Sequence, residues 1–171
     1  TDTFLELAKP RAWQSADGPA HSEAERSSAI AALRLGLSVL LRLFAPVLPY
    51  ITEEIWSWVY AAETGRPSIH GAPWPTVDEL ADVPAPADVA HFDRAVDLFT
   101  AINKAKADAQ VSAGRVVESL VVEANAATLE RVAAVRDCAL EAARVNQHRV
   151  NAVELEDGLF RIVDAVFAPK G

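Results

Sequence analysis

Apolar residues recur at helical spacing through most of the first 110 positions and at shorter spacing beyond them. Phe4, Leu5, Leu7 and Ala8 form the apolar side of a first helix that ends near Trp13. Residues 14–20, with Gly18 and Pro19, read as a loop. Ser22 offers an N-cap, and Glu25 three residues on completes a capping box. Behind it Ile30, Leu33, Leu37, Leu40, Leu41 and Phe44 keep the helical period, while Leu35, Val39 and Leu43 add apolar groups on other sides. This pattern predicts a helix buried on much of its circumference in the middle of a bundle, with Arg34, Ser38 and Arg42 as its polar stripe.

Pro46 lacks an amide donor and stops that helix. Pro49 holds Leu48 out of the helical region. Thr52 is expected to cap the next helix, with Glu53 and Glu54 near the positive end of its dipole. That helix carries Ile55, Trp56 and Val59 and fades near Gly65. Pro67, Gly71, Pro73 and Pro75 make residues 66–75 a loop, and Ile69 and Trp74 imply that it is packed down. Trp13, Trp56, Trp58 and Trp74 are of a type that stacks on nucleic-acid bases, but Trp56 and Trp74 sit in apolar surroundings and are expected to be core anchors, and Thr76 with Glu79 to cap a short turn. Beyond Pro84 and Pro86, a helix is predicted from residue 87 to about residue 110, with Phe92, Ala95, Val96, Phe99 and Ile102 inward.

The period then changes. Val116, Val117, Leu120, Val121 and Val122 predict a strand. Asn125 caps one helix carrying Leu129, Val132, Val135, Leu140 and Ala143. Two further strands are expected at residues 150–156 and 159–168, joined at Asp157-Gly158 as a hairpin. The expected fold is therefore mainly α. An antiparallel helical bundle over residues 1–111 precedes a small α+β module, three strands and one helix, over residues 112–171.

Half of the 171 residues are hydrophobic, as in a folded protein. The apolar run at residues 30–41 is broken by Arg34 and followed by Arg42, which reads as too short and too charged for a bilayer span, so no membrane partner is expected. No secretory signal is seen at the start. Methionine is absent and the first amphipathic pattern is already under way at Thr1, so the chain is expected to be part of a longer polypeptide. Cys138 is the only cysteine, which excludes an intrachain disulfide and a cysteine-based zinc cluster and fits a cytoplasmic location. A net charge of −8 argues against general nucleic-acid affinity but leaves room for one basic face.

No catalytic constellation emerges. His21, His70, His91 and His148 are scattered without metal spacing. Glu53 and Glu54 diverge by about 100° on a helix and cannot act as a pair. Phosphate-cradling glycine motifs and a serine elbow are missing. Recognition chemistry remains. Lys104, Lys106 and Arg115 surround the junction of helix and strand and could meet phosphates, as could Arg34 and Arg42. Lys104 could instead pair with an aspartate of its own helix, and the two arginines could serve packing.

Four segments carry a family resemblance: FLELAKPR at residues 4–11, LFAPVLPYITEEIW at 43–56, SIHGAPWP at 68–75 and AINKAKADAQVS at 101–112. Together they resemble the anticodon-binding domain of the valyl-tRNA synthetases, in the class I group for valine, isoleucine and leucine. Thr52-Glu53-Glu54 after the second proline leans toward the valine branch. Asn103 departs from the arginine usual in that family, while Lys106 keeps its second basic position. The family's first anticodon-domain helix would precede Thr1. The resemblance implies a fragment without catalytic residues, metal or cofactor of its own. The implied full-length enzyme joins valine to its tRNA with ATP and magnesium, through a catalytic domain elsewhere in the polypeptide. The alternatives are an isoleucyl or leucyl relative, or a synthetase-derived protein-interaction scaffold.

Overall fold

The computed structural model describes residues 2–13, 21–86 and 88–169. The loop expected at residues 14–20 and the start of the helix expected at residue 87 lie outside them. The protein is 54% helical, with seven α-helices and one three-stranded mixed sheet among the described residues. Contacts divide the chain into two units. Ser22–Pro86 form one, inserted between the two segments of the other, Thr1–His21 and Ala87–Gly171. The change of period near residue 112 marks the passage from helix to strand but not this division of contacts, because helices on both sides of it pack with the sheet.

The inserted unit is helical. Helix α2 (Glu23–Phe44) opens as expected: Ser22 Oγ accepts from Glu25 N, and Ser22 N donates to Glu25 Oε2. Ala45 closes it ahead of Pro46. Helix α3 (Pro49–Val59) begins earlier than expected. Pro49 occupies its first turn, since a missing amide costs nothing there and the fixed φ suits a helix. Thr52 is therefore not a cap. It is buried inside the helix, and its hydroxyl donates back to Leu48 O at 2.7 Å. No acidic residue occupies the first turn, and Glu53 instead accepts from Ser68 Oγ and Ile69 N, tying down the following loop. Helix α4 (Ala61–Thr64) ends at Gly65, whose φ of 65° is a left-handed terminus suited to glycine. Two short 3-10 turns follow, Ile69–Gly71 and Val77–Leu80, the second under the expected Thr76–Glu79 capping box.

The core of this unit is small: Leu41, Ala45, Trp56, Tyr60 and Ile69. Trp56 is 2% exposed and donates its indole N–H to Arg66 O at 2.9 Å. Trp74 is not a core anchor, for it stands 58% exposed. The buried circumference expected of α2 is also corrected. Only Ala29, Leu41 and Arg42 are buried, while Leu37, Leu40, Leu43 and Phe44 are exposed. By length and composition α2 is apolar enough to cross a bilayer, against the reading of residues 30–41 as too short. Its two inner arginines, however, are both matched by carboxylates of the same unit.

The split unit holds α1 (Asp2–Ala12), α5 (His91–Asp108), β1 (Val117–Ala124), α6 (Ala126–Val132), α7 (Arg136–Ala142), β2 (Val145–Ala152) and β3 (Arg161–Phe167). Strand β1 lies in the middle, parallel to β2 and antiparallel to β3. The hairpin expected between the last two strands is absent, because β2 and β3 pair only with β1. Strand β2 begins five residues earlier than the valine pattern suggested, since it is an edge strand with polar side chains exposed. Asp157 and Gly158 still turn the chain, with Gly158 at φ 83°. The turn is held by a helix instead of a hairpin ladder: Gly158 N donates to the buried Thr128 Oγ1, which donates to Asp157 Oδ1. The single helix expected after Asn125 is two, α6 and α7, although Asn125 caps the first as predicted.

Leu7, Ala95, Leu98, Ile102, Val117, Leu120, Val122, Val132, Leu140 and their neighbours form one continuous core. Leu98, missed by the sequence reading, is fully buried, whereas Phe92 is half exposed beside Phe4.

Candidate nucleic-acid interface

The five cations singled out by the sequence meet different fates. Lys106 is fully buried. Its ammonium donates to Ala113 O at 2.7 Å and to Ala143 O at 2.6 Å, joining the end of α5 to the approach of β1 and the end of α7. Burial lowers its pKa from 10.5 to about 8, with Arg144 adding repulsion. A lysine held in this way offers no charge to a phosphate. Its place near the apolar line of α5 was legible in the sequence; that two orphan carbonyls would draw it inward was not.

Arg42 is 7% exposed and spent on Glu79 in a two-pronged pair, Nη1 to Oε1 at 2.8 Å and Nη2 to Oε2 at 2.5 Å. The arginine holds the Glu79 carboxyl down to about 2. Arg34 pairs with Glu63 and lies over the Tyr60 ring, 5.4 Å from its centroid. Arg115 donates to Pro169 O at 2.6 Å. Lys104 is exposed and has no partner among the described residues, so the ion pair expected within its helix is not formed, while Asp97 pairs with Arg94 at 3.6 Å. Of the five, Lys104 alone presents an uncommitted charge.

A cleft of about 1030 Å³ opens in the split unit. Helix α1 contributes Lys9 and Pro10, followed by Trp13; α7 contributes Leu140 and Glu141; and Arg144, Asn146 and His148 come from the edge strand and its approach. Trp13 is 81% exposed. His21 Nε2 stands 3.0 Å from Glu141 Oε2, with both side chains largely withdrawn from solvent. Desolvation raises the Glu141 pKa, and the nearby His21 partly offsets that. No sequence pattern links His21 to Glu141; only the fold brings them together. A second hollow of about 510 Å³ in the inserted unit is lined by Arg34, Ser38, Tyr60 and Glu63. Among the described residues no group of three or more metal-ligating side chains converges.

Residues 1–121 match the family described as the anticodon-binding domain of tRNA ligase. The chain is 38% identical over 144 residues to a valine–tRNA ligase of Thermobifida fusca (strain YX), covering 84% of this chain and 15% of that protein. A valine–tRNA ligase of Bifidobacterium longum (strain NCC 2705) is 36% identical over 146 residues, covering 84% of this chain and 16% of the relative. A valine–tRNA ligase of Cutibacterium acnes (strain DSM 16379 / KPA171202) reaches 49% over 88 residues, 52% of this chain and 9% of its own length. The chain thus spans about one sixth of the length of the first two relatives. The four motif segments at residues 4–11, 43–56, 68–75 and 101–112 all fall within the matched stretch, and the chain belongs to the anticodon-binding domain family of the tRNA ligases.

Proposed function

We propose that this chain is the tRNA-recognition part of a valine–tRNA ligase and grips the anticodon stem and loop. The family match over residues 1–121 carries the reading, and the relatives named as valine–tRNA ligases favour valine over isoleucine or leucine. The helices of residues 1–111 act as an antiparallel bundle in the whole enzyme, and residues 112–171 act as an appended α+β module. ATP, magnesium and the valine-joining step belong to a catalytic domain of the same polypeptide, and the enzyme works in the cytoplasm. Binding here fixes the orientation of the tRNA, so that its acceptor end reaches a distant site already aligned.

Lys104 is the leading phosphate contact of the five cations. Arg34 and Arg115 contribute from the rims of their units while keeping their present partners. Arg42 acts through Glu79 to hold its loop in place.

The test is a salt titration of tRNA binding to the full 171-residue chain. Binding should be measurable at low salt and weaken steadily as salt rises. Lys104→Ala should reduce the slope of log affinity against log salt by about 0.9 without changing stability. A folded chain that binds no tRNA at any salt overturns the proposal and favours the protein-interaction scaffold, to which the net charge of −8 is better suited.

A further inference from the structure

We propose that the cleft between α1, α7 and the edge strand β2 is a single-nucleotide site, taking one unstacked RNA base against Trp13. The inference rests on the tRNA-binding reading and adds to it a place and a ligand class. Three observations carry it. The cleft, at about 1030 Å³, lies at the upper end of small-ligand pockets, with room for a base and its flanking sugar-phosphate. Its walls are apolar at Pro10, Leu140 and Val145, as a planar base requires. A tryptophan 81% exposed lines it. An indole left in water forfeits the burial that usually holds such a side chain, whereas a stacked base would recover it.

The polar groups fit the same ligand. Asn146 uses its Nδ2 on Glu118 at 2.9 Å, which leaves its carbonyl oxygen available as an acceptor. His148 lines the cleft from the exposed edge strand and has no partner among the described residues. Lys9, paired with Glu6 at 2.5 Å, and Arg144, which donates to Gly114 O through Nη1, bring positive charge to the cleft, and a flanking phosphate would meet it in competition with those partners. Carboxylates are present as well, Glu6 and Glu141 among them, so the cleft suits a ligand with its own donors better than a free anion. A paired duplex cannot enter, because its bases are stacked and their edges engaged.

The experiment compares wild type, Trp13→Ala, Trp13→Phe and His148→Ala, each as the full chain, for binding to tRNA and to a single-stranded heptaribonucleotide at low salt. Fluorescence anisotropy of labelled RNA gives the affinities, and circular dichroism confirms the fold. Trp13→Ala should weaken both RNAs by about tenfold or more, and Trp13→Phe should restore most of the loss, because stacking survives. His148→Ala should cost about two- to tenfold. A blunt-ended RNA duplex of two complementary strands should show no dependence on Trp13. If wild type binds tRNA and Trp13→Ala binds it equally well, the nucleotide site is overturned and the tRNA reading stands. If folded wild type binds no tRNA, both fail.

Discussion

The two units of this protein use the same residue types to different ends. In the split unit a three-stranded sheet and its helices close around a continuous core, and cations near the helix–strand junction donate to backbone carbonyls: Lys106 to Ala113 and Ala143, Arg144 to Gly114, Arg115 to Pro169. In the inserted unit five residues make the core, many large apolar side chains of α2 and α3 stay exposed, and Arg34 and Arg42 of α2 pair with carboxylates, Arg42 donating to Ser38 O and Pro73 O as well. The difference follows from chain geometry. Sheet junctions and helix ends leave carbonyls without partners, and a long cation can satisfy them. In the inserted unit the one buried arginine, Arg42, uses two backbone carbonyls and still takes the Glu79 carboxylate, since a buried charge is costly without an opposite charge beside it.

The comparison breaks most sharply at Trp56. Trp56→Ala should cost the inserted unit about 3–5 kcal/mol, through the cavity and the lost bond to Arg66 O. Amide hydrogen exchange should show α2 and α3 losing protection while β1 and α5 keep theirs. Equal loss in both units would mean that they unfold as one.

Lys106→Met is the counterpart. It strands two carbonyls and should destabilise the split unit by about 2–4 kcal/mol in urea unfolding. The wild-type pH profile carries a second signature. The folded pKa of Lys106 lies below its ordinary value, so between about 10.5 and about 8 the unfolded chain binds the proton first. Stability should therefore fall as pH drops through that window, by roughly 3 kcal/mol, and level off below it. The methionine variant should lack this slope.

A smaller effect is expected at Gly158. Its φ of 83° disfavours any side chain, and an added Cβ would stand 2.6 Å from Arg94 Nη1. Gly158→Ala should cost about 1–2 kcal/mol, read as a lower melting temperature of the split unit alone.

The smallest effect concerns acid. Arg42 lowers the Glu79 carboxyl to about 2, so this pair stabilises the inserted unit above pH 4.5 and is lost as pH falls through about 2. Glu79→Gln should remove that acid-sensitive contribution from the inserted unit and leave the split unit's profile unchanged. An unaltered acid profile in the inserted unit would show that the pair contributes nothing there.

Local signals were read well where the chemistry is local. The capping boxes at Ser22–Glu25 and Thr76–Glu79, the stop at Pro46 and the cap at Asn125 depend on residues within one turn of each other, and all are present. The start of α3 was misplaced because two local rules competed: a proline in the first turn prevailed over a threonine cap. Asp157-Gly158 was rightly seen as a turn and wrongly as a hairpin, since the turn signal says nothing about which strands pair.

Of the candidate site, the sequence supplied the residue types and the family segments, and no pattern along the chain pointed to the cleft. Its parts come from α1, α7 and β2, and only the fold brings them together. By itself the chain determined its capping boxes, its change of period and its membership of an anticodon-binding family, because these reside in neighbouring residues and short motifs. Tertiary structure alone decided that β1 lies between β2 and β3, that Lys106 is buried and Lys104 free, and that Trp13 faces water. Those outcomes depend on which distant backbone groups need partners and which surfaces find cover, and neither is encoded within a few residues of where it takes effect.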